Sequence, residues 1–234
     1  MADRYSRQIL YFGEKNQEKL SKATVCVVGC GALGSAAASM LARAGVSLKL
    51  IDTDVIEESN LHRTDLFEEG DIGKNKAEVA KKRLEKINSS IRIESRSEEV
   101  TSDNVSIISA DIVVDCTDNI RTRHLINEFC IKNKIPWIYG AVVGLQGMSA
   151  VFHGRPCFRC MVSKDIQEDQ LETPNTHGVL SPACRMISSW QVLQVIKILT
   201  GKSEFGTLLS FSLESQEFSF SKIKPDTSCN VCAK

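Results

Sequence analysis

The sequence predicts an α/β fold with a largely parallel sheet and helices on both of its faces. Short apolar runs alternate with helical patterns through the first half of the 234-residue chain, as in sheets built from strand–helix–strand units. A glycine-rich loop, residues 29–34, stands between the first apolar run and the first helical pattern. Two CxxC pairs, Cys157 with Cys160 and Cys229 with Cys232, lie in the second half.

Five short runs of mostly apolar residues predict the strands of the first half. Each is four or five residues long, and most contain β-branched side chains, which favour strands. They are residues 24–28, 48–52, 91–94, 111–115 and 135–139.

Three segments between these runs have the spacing of helices. Residues 33–44 are rich in alanine, and Gly45 is expected to end that helix. Residues 75–87 place apolar side chains three or four positions apart, and Asn88 follows as a stop signal. Residues 121–132 form an amphipathic pattern. Together with the strands, they predict a Rossmann-like sheet whose ligands bind at the carboxyl ends of the strands.

The second half changes character. Residues 148–152, 207–211 and 217–220 read as antiparallel strands, and residues 192–199 as a helix that ends at Gly201. Residues 161–177 are polar and lack a clear period, which predicts a mobile loop. We find no internal repeat or linker and therefore expect a single domain over residues 1–234, with a helical segment at 1–22.

The charge balance excludes several classes of partner. Lysine plus arginine and aspartate plus glutamate number 29 each, so no net field draws the chain to nucleic acid or to anionic lipid. No apolar run approaches the roughly 20 residues that span a bilayer, and the N-terminal residues are polar. Nine cysteines, an odd number, do not suit a disulfide framework. We expect a cytoplasmic protein in a reducing compartment, with no nucleic-acid or membrane partner.

The glycine loop has the context of a phosphate-binding site. Gly29, Gly31 and Gly34 lie between a strand and a helix, where the backbone can approach phosphates and free N–H groups point at them. Asp52 follows Gly34 by 18 residues, the usual distance for an acid that binds a ribose hydroxyl. A tight turn used only for packing is the plainer alternative. An NAD-dependent oxidoreductase would show the same pattern, so the loop does not identify the nucleotide.

The cysteine pairs have two interpretations. A redox CxxC usually stands alone near the start of a helix. Two pairs separated by 68 residues suit a structural zinc site better, because four thiolates complete a tetrahedral shell and leave no position for chemistry. We expect Cys157, Cys160, Cys229 and Cys232 to bind Zn²⁺ and to hold the C-terminal tail to the loop after residue 152.

A set of motifs in fixed order gives the sequence a specific resemblance. Besides the glycine loop, Asp52 and the CxxC pairs, the set contains RYSRQ at residues 4–8, SNLHR at 59–63, Lys76 and DCTDN at 115–119. In these motifs the chain resembles the ThiF/MoeB/HesA family, the prokaryotic relatives of ubiquitin-activating enzymes, over nearly its whole length. The resemblance implies ATP-dependent adenylylation of the C-terminal glycine carboxylate of a small ubiquitin-like sulfur carrier ending in Gly-Gly. It also implies a nucleotide-binding half at 23–145 and a carrier-binding half at 146–234, with a crossover loop at about 161–179.

The resemblance also implies roles for single residues. Arg63 and Lys76 would offset the negative charge of ATP, Asn60 would donate a hydrogen bond, and Asp118 would hold Mg²⁺. Arg7 would reach the phosphates of a neighbouring subunit, which makes a homodimer necessary. The nucleotide-binding set would be Gly29, Gly31, Gly34, Asp52, Ser59, Asn60, Arg63, Lys76, Asp118 and Asn119. Without the resemblance, the basic residues could be solvated surface charges and Asp118 a helix cap.

The sequence departs from the family at one position. Many relatives carry a reactive cysteine in the crossover loop, where this chain has Pro174. Proline has no nucleophile, so we expect no thioester at this position. Cys184 and His177 lie nearby, and we expect them to be structural rather than catalytic. An NAD oxidoreductase and a catalytically silent partner-binding relative are the alternative functions.

Overall fold

Eight strands form one mixed sheet in the computed structural model, which describes residues 4–163, 166 and 177–233. The spatial order is β3-β2-β1-β4-β5-β6-β7-β8, in which neighbours from β3 to β5 are parallel and those from β5 to β8 are antiparallel. This arrangement confirms the predicted fold class. The strands are β1 Thr24–Val28, β2 Ser47–Ile51, β3 Ile93–Arg96, β4 Ile112–Asp115, β5 Trp137–Val143, β6 Gln146–Phe152, β7 Thr207–Ser212 and β8 Glu217–Lys222.

Local sequence signals determine where the helices begin and end. The side chain of Asn75 accepts a hydrogen bond from the backbone N–H of Glu78 and caps α4, and Gly45 ends α3 in the left-handed conformation at φ 91°. The described helices are α1 Ser6–Phe12, α2 Glu14–Lys22, α3 Ala32–Ala44, α4 Lys76–Ile87, α5 Ile120–Asn133, α6 Phe158–Met161 and α7 Ser181–Leu199. No helix within the described ranges is long and apolar enough to cross a bilayer.

Helix α7 differs most from the prediction, because it begins eleven residues before the expected residue 192. Its first half buries polar side chains that bind backbone carbonyl groups elsewhere in the fold. Ser188 Oγ donates to the carbonyl of Leu33 at 2.9 Å, and Gln191 Nε2 donates to that of Asp115 at 2.7 Å. These buried polar residues interrupt the apolar period by which a helix is recognised. Smaller differences are that β3 begins two residues later than predicted and that β5 extends to Val143.

The core covers both faces of the sheet and leaves the carboxyl ends of its parallel strands free for a ligand. On one face, α3 packs over β1 and β2, α4 packs over β2 and β3, and α7 packs over β5 and β6 and against α3. The other face holds an aromatic cluster in which Trp137 lies 5.0 Å from Phe152 and 5.7 Å from Phe158 between ring centroids. Strands β2 and β4 lie on opposite sides of β1, so the chain reverses its direction of progress there. Open α/β sheets bind ligands beside the carboxyl ends of the strands at such a point.

Candidate functional site

A cleft of about 270 Å³ opens at the carboxyl ends of β1, β2 and β4, beside the start of α3. The structure brings eight of the predicted nucleotide-binding residues to its wall. They are Gly29, Gly31, Asp52, Asn60, Arg63, Lys76, Asp118 and Asn119. Arg7, Gly34 and Ser59 are not part of this wall.

The three glycines of the loop serve different purposes. A Cβ on Gly34 would lie 1.8 Å from the carbonyl oxygen of Gly29, so α3 could not pack this closely with any side chain there. Gly29 has φ +89°, and a Cβ on it would lie 2.7 Å from the carbonyl oxygen of Cys116. A Cβ on Gly31 would meet nothing within 4 Å, because this residue faces the open cleft. The helix that follows directs its free N–H groups and positive dipole end to the same space.

Asp52 stands beside the loop and is held by backbone donors. Its Oδ2 accepts from the N–H of Cys30 at 2.6 Å, and its Oδ1 accepts from the N–H of Asp54 at 2.8 Å. Burial raises the pKa of this carboxyl, and the two backbone hydrogen bonds oppose the rise. The carboxylate is therefore fixed in orientation at the edge of the cleft.

Two cations enter the cleft from neighbouring segments. The Nζ of Lys76 makes an ion pair with Asp54 Oδ2 at 2.8 Å, and the backbone N–H of Lys76 donates to the Asp54 carbonyl at 2.9 Å. Only 11% of the Lys76 side chain is exposed. Arg63 Nη1 donates to the carbonyl of Ser59 at 2.5 Å and lies 2.9 Å from His62 Nε2. Asp54, which the sequence analysis did not single out, thus orients one of the two predicted cations.

Asn60 and Ser59 form the base of this second segment. Asn60 is buried and accepts from the N–H of Glu57 at 3.3 Å, while its Nδ2 donates to Ser59 Oγ at 3.3 Å. Ser59 lies outside the cleft wall and accepts hydrogen bonds from the side chains of Asn60 and Arg63. Its contacts therefore position these two side chains.

The DCTDN segment gives separate positions to its two aspartates. Asn119 caps α5 by accepting from the N–H of Thr122 at 2.8 Å, so the cap that the sequence offered to Asp118 belongs to its neighbour. The exposed Asp118 carboxylate makes no hydrogen bond or ion pair within the described part of the chain. An oxygen ligand of this kind suits Mg²⁺.

A buried ion pair, which the sequence analysis missed, supports this segment from behind. Arg123 Nε lies 3.4 Å from Asp115 Oδ2, and Arg123 Nη2 donates to the carbonyl of Thr117 at 2.5 Å. Its guanidinium also stacks 5.0 Å above the centre of the Tyr139 ring. Asp115 is fully buried, and this burial raises the pKa of its carboxyl although Arg123 opposes the rise. The two side chains meet only in the folded protein, so sequence spacing gave no signal for the pair.

The four cysteines of the CxxC pairs converge on one point. Their sulfur atoms all lie within 4.8 Å of one another, with Cys157 and Cys229 at 3.7 Å and Cys160 and Cys232 at 3.5 Å. A tetrahedral zinc with bonds of about 2.3 Å places its sulfurs roughly 3.8 Å apart. The close contacts join one pair to the other, which suits a shared metal better than a redox disulfide within one pair. The cluster is compatible with a zinc site.

Comparison with models of known protein families shows to which family the chain belongs. The model of the ThiF family matches residues 5–231, nearly the whole chain. The chain belongs to the ThiF family. The resemblance drawn from the ordered motifs is thereby confirmed.

Curated relatives of this ThiF-family chain bear the names of adenylyltransferases. The "Sulfur carrier protein ThiS adenylyltransferase" of Bacillus subtilis (strain 168) is 39% identical over 244 residues, which cover 99% of this chain and 72% of the relative. The "Adenylyltransferase and sulfurtransferase MOCS3" of Aedes aegypti is 38% identical over 240 residues, which cover 98% of this chain. The chain spans 55% of the length of that second relative.

Solved structures share the fold. A crystal structure of E. coli MccB with ATP has a TM-score of 0.87 and 25% sequence identity, and the match covers 99% of this chain and 75% of MccB. A structure of E. coli MccB with AMPCPP and MccA has a TM-score of 0.87 and 26% identity, over 98% of this chain and 74% of MccB.

Two cysteines of this ThiF-family chain, Cys116 and Cys184, lie in the cleft wall, and neither is at the family position. Pro174, which occupies that position, lies outside the described residues, as does most of the predicted loop at 161–179. Cys184 lines the cleft and is 1% exposed. Burial raises the pKa of its thiol to about 11, while the positive charge of Arg63 opposes the rise. At neutral pH this thiol is protonated and is a poor nucleophile. His177 is exposed.

Proposed function

We propose that this protein uses ATP to adenylylate the C-terminal glycine carboxylate of a small ubiquitin-like sulfur carrier that ends in Gly-Gly, releasing pyrophosphate. One observation carries the proposal: a single cleft contains the open glycine loop, a fixed carboxylate and two cations from separate segments. The names of the Bacillus subtilis and Aedes aegypti relatives support the same reaction class.

The chemistry asks mainly for charge stabilisation. The attacking carboxylate is ionised near neutral pH, since its pKa is about 3.5, so no general base is needed. The main obstacle is repulsion between this anion and the triphosphate, and Arg63 and Lys76 supply opposite charge at the cleft wall. Asp52 would bind the ribose, and Asn60 would donate a hydrogen bond to the phosphates. Asp118 would hold Mg²⁺, which when bound neutralises charge on the phosphate oxygens.

We further propose that two copies of the chain assemble and that Arg7 acts in the cleft of the partner. Arg7, Leu10 and Tyr11 are spaced so that they share one face of α1. Leu10 is 76% exposed and Tyr11 is 89% exposed, an unusual exposure for two large apolar side chains on one turn. Arg7 does not line the cleft of its own chain. Packing of this face against a second copy would cover the apolar pair and would bring Arg7 to a second cleft.

Zn²⁺ in the cysteine cluster would be structural. Four thiolates leave no open coordination position, so the metal would join the tail at Cys229 and Cys232 to the segment after β6. Burial opposes ionisation of Cys229, but backbone N–H groups of Cys232 and Val231 donate to its sulfur and lower its pKa to about 7. None of the nine cysteines forms a disulfide bond, which fits our proposal of a reducing, cytoplasmic location.

The reaction is proposed to end at the acyl-adenylate. Pro174 replaces the family's crossover cysteine, and the Cys184 thiol is buried and protonated. Sulfur transfer would therefore fall to another protein. We assign residues 23–145 to nucleotide binding and residues 146–234 to the carrier, with residues 1–22 as the helical segment that contains Arg7.

The two alternative functions account for fewer of these observations. An NAD oxidoreductase needs the glycine loop and Asp52 but gives no role to Arg63 or to Lys76. A silent partner-binding protein would not require both cations to remain oriented in the cleft beside Asp118.

The test is ATP–pyrophosphate exchange in the presence and absence of candidate carriers that end in Gly-Gly. Exchange is expected only with a carrier, and Arg63→Ala and Asp118→Ala should each lower it at least about a hundredfold. Arg121→Ala, which changes an exposed arginine outside the cleft wall, is the matched control and should retain exchange. Exchange that persists without any carrier would contradict the proposal.

A further inference from the structure

Helix α5 reaches both the cleft and the cysteine cluster. Its cap Asn119 and its first-turn residues Thr122 and Arg123 line the cleft. Asn127, eight residues after the cap, contacts the segment that contains the first CxxC pair. At a rise of about 1.5 Å per residue, roughly 12 Å of rigid helix separates the two ends.

Asn127 is placed to bind that segment through both the oxygen and the nitrogen of its side-chain amide. The residue is fully buried, and its Oδ1 accepts from the backbone N–H of Phe158 at 3.0 Å. Its Nδ2 is buried and has no nitrogen or oxygen acceptor among the described residues. This amide faces the sulfur of Cys157. Cys157 precedes Phe158 in the chain and is one of the four cysteines of the cluster. A metal-bound thiolate is a better acceptor than a thiol, so metal binding would satisfy the amide.

Neighbouring side chains of α5 bind the same segment. Glu128 makes an ion pair with Arg159, whose Nη1 donates to Asn230 Oδ1 at 3.1 Å. His124 packs its ring 5.3 Å from that of Phe158. Arg159 lies inside the first CxxC pair and Asn230 inside the second, so α5 contacts the first half of the cluster directly and reaches the second half through Arg159.

We propose that Asn127 is a positioning residue that couples the metal cluster to the nucleotide cleft through α5. When a metal orders the four sulfurs, Cys157 and Phe158 fix Asn127, and the rigid helix fixes Asn119 and Arg123 at the cleft. Coupling of this kind is reciprocal. If bound metal raises the affinity of the protein for ATP by some factor, bound ATP must raise its affinity for the metal by the same factor. The inference rests on the proposed function for its ligand, Mg-ATP, but not on the carrier.

The test is a double-ratio measurement by calorimetry on the full chain. Mg-ATP affinity is measured with Zn²⁺ bound and after zinc depletion, and Zn²⁺ affinity is measured with and without Mg-ATP. Wild type should give the same coupling factor in both directions, on the order of tenfold. Asn127→Ala should bring the factor close to one while both ligands still bind. Asn133→Ala is the control, because among the described residues the Asn133 amide donates only within α5, to the carbonyl of Phe129 at 2.8 Å.

A second variant keeps the test decisive if Asn127→Ala does not fold. Asn127→Asp retains the size of the side chain and the acceptor for Phe158 but replaces the Nδ2 donor with oxygen. It should lower Zn²⁺ affinity by about 10- to 100-fold, shift the thiolate-to-metal absorption of the Co²⁺-substituted protein and lose the coupling.

Equal coupling in wild type and Asn127→Ala overturns the proposal, and so does a factor of one in wild type. Neither result affects carrier-dependent pyrophosphate exchange, which tests the proposed function separately. Zinc-loaded wild type that binds no Mg-ATP would overturn both.

Discussion

Replacing Arg123 with leucine should leave the buried carboxylate of Asp115, beneath the cleft, without its counter-charge. The substitution removes the partner 3.4 Å from Asp115 Oδ2, the hydrogen bond to the carbonyl of Thr117 and the stacking on Tyr139. Asp115 Oδ1 keeps its contacts from Thr117 N at 3.0 Å and from Thr117 Oγ1 at 2.6 Å, but Oδ2 is left without a counter-charge. Removing one partner of a buried pair costs about 3–5 kcal/mol of the free energy of unfolding.

The loss should depend on pH in a defined direction. Burial already raises the pKa of Asp115 in wild type, and loss of Arg123 should raise it further. A carboxyl whose folded pKa is raised contributes most stability below its unfolded pKa of about 3.9 and loses that contribution as pH rises through the folded pKa. The difference in the free energy of unfolding between wild type and Arg123→Leu should therefore be largest in mildly alkaline solution and shrink as the solution is made acidic.

Urea unfolding of wild type and variant over this pH range measures the difference. A double variant, Asp115→Asn with Arg123→Leu, removes both charges and should be more stable than Arg123→Leu alone. The reasoning is refuted if the single variant loses the same free energy at every pH, or if the double variant is no more stable than the single one.

Three further outcomes follow from the cleft. Gly31→Ala should keep the free energy of unfolding within about 0.5 kcal/mol of wild type and weaken ATP binding at least about tenfold in titrations; normal ATP affinity would contradict the assignment of Gly31 to the nucleotide site. Gly34→Ala, whose Cβ would lie 1.8 Å from a carbonyl oxygen, should fail to give soluble folded protein by circular dichroism. Cys184, with its pKa raised to about 11, should resist iodoacetamide at neutral pH until the protein unfolds, as mass spectrometry of the labelled peptides would report. Asp54→Asn should release Lys76 and raise the KM for ATP more than it lowers kcat in steady-state exchange, and an unchanged KM would argue against an orienting role.

Sequence reasoning performed best where local signals dominate. Helix α3 was expected at residues 33–44 and forms at Ala32–Ala44, because alanine propensity and Gly45 act within a few residues of the chain. The cysteine cluster was also accessible, since CxxC spacing alone lets two thiolates reach one metal.

Features that depend on distant partners were not accessible. The start of α7 depends on Ser188 and Gln191, whose buried polar groups find backbone acceptors more than 70 residues away. The Asp115–Arg123 pair and the contacts of Asn127 likewise join elements that only the folded sheet brings together. Such tertiary contacts leave no period or spacing in a single sequence.

Carrier-dependent formation of an acyl-adenylate is the most direct measure of the proposed function. Intact mass spectrometry of a Gly-Gly-ending carrier after incubation with the protein and Mg-ATP should show the carrier with one AMP on its C-terminal glycine. The protein itself should remain unmodified, since Pro174 cannot form a thioester and the thiol of Cys184 is buried. A carrier that stays unmodified, or one that becomes covalently attached to the protein through a cysteine, would contradict the proposed function.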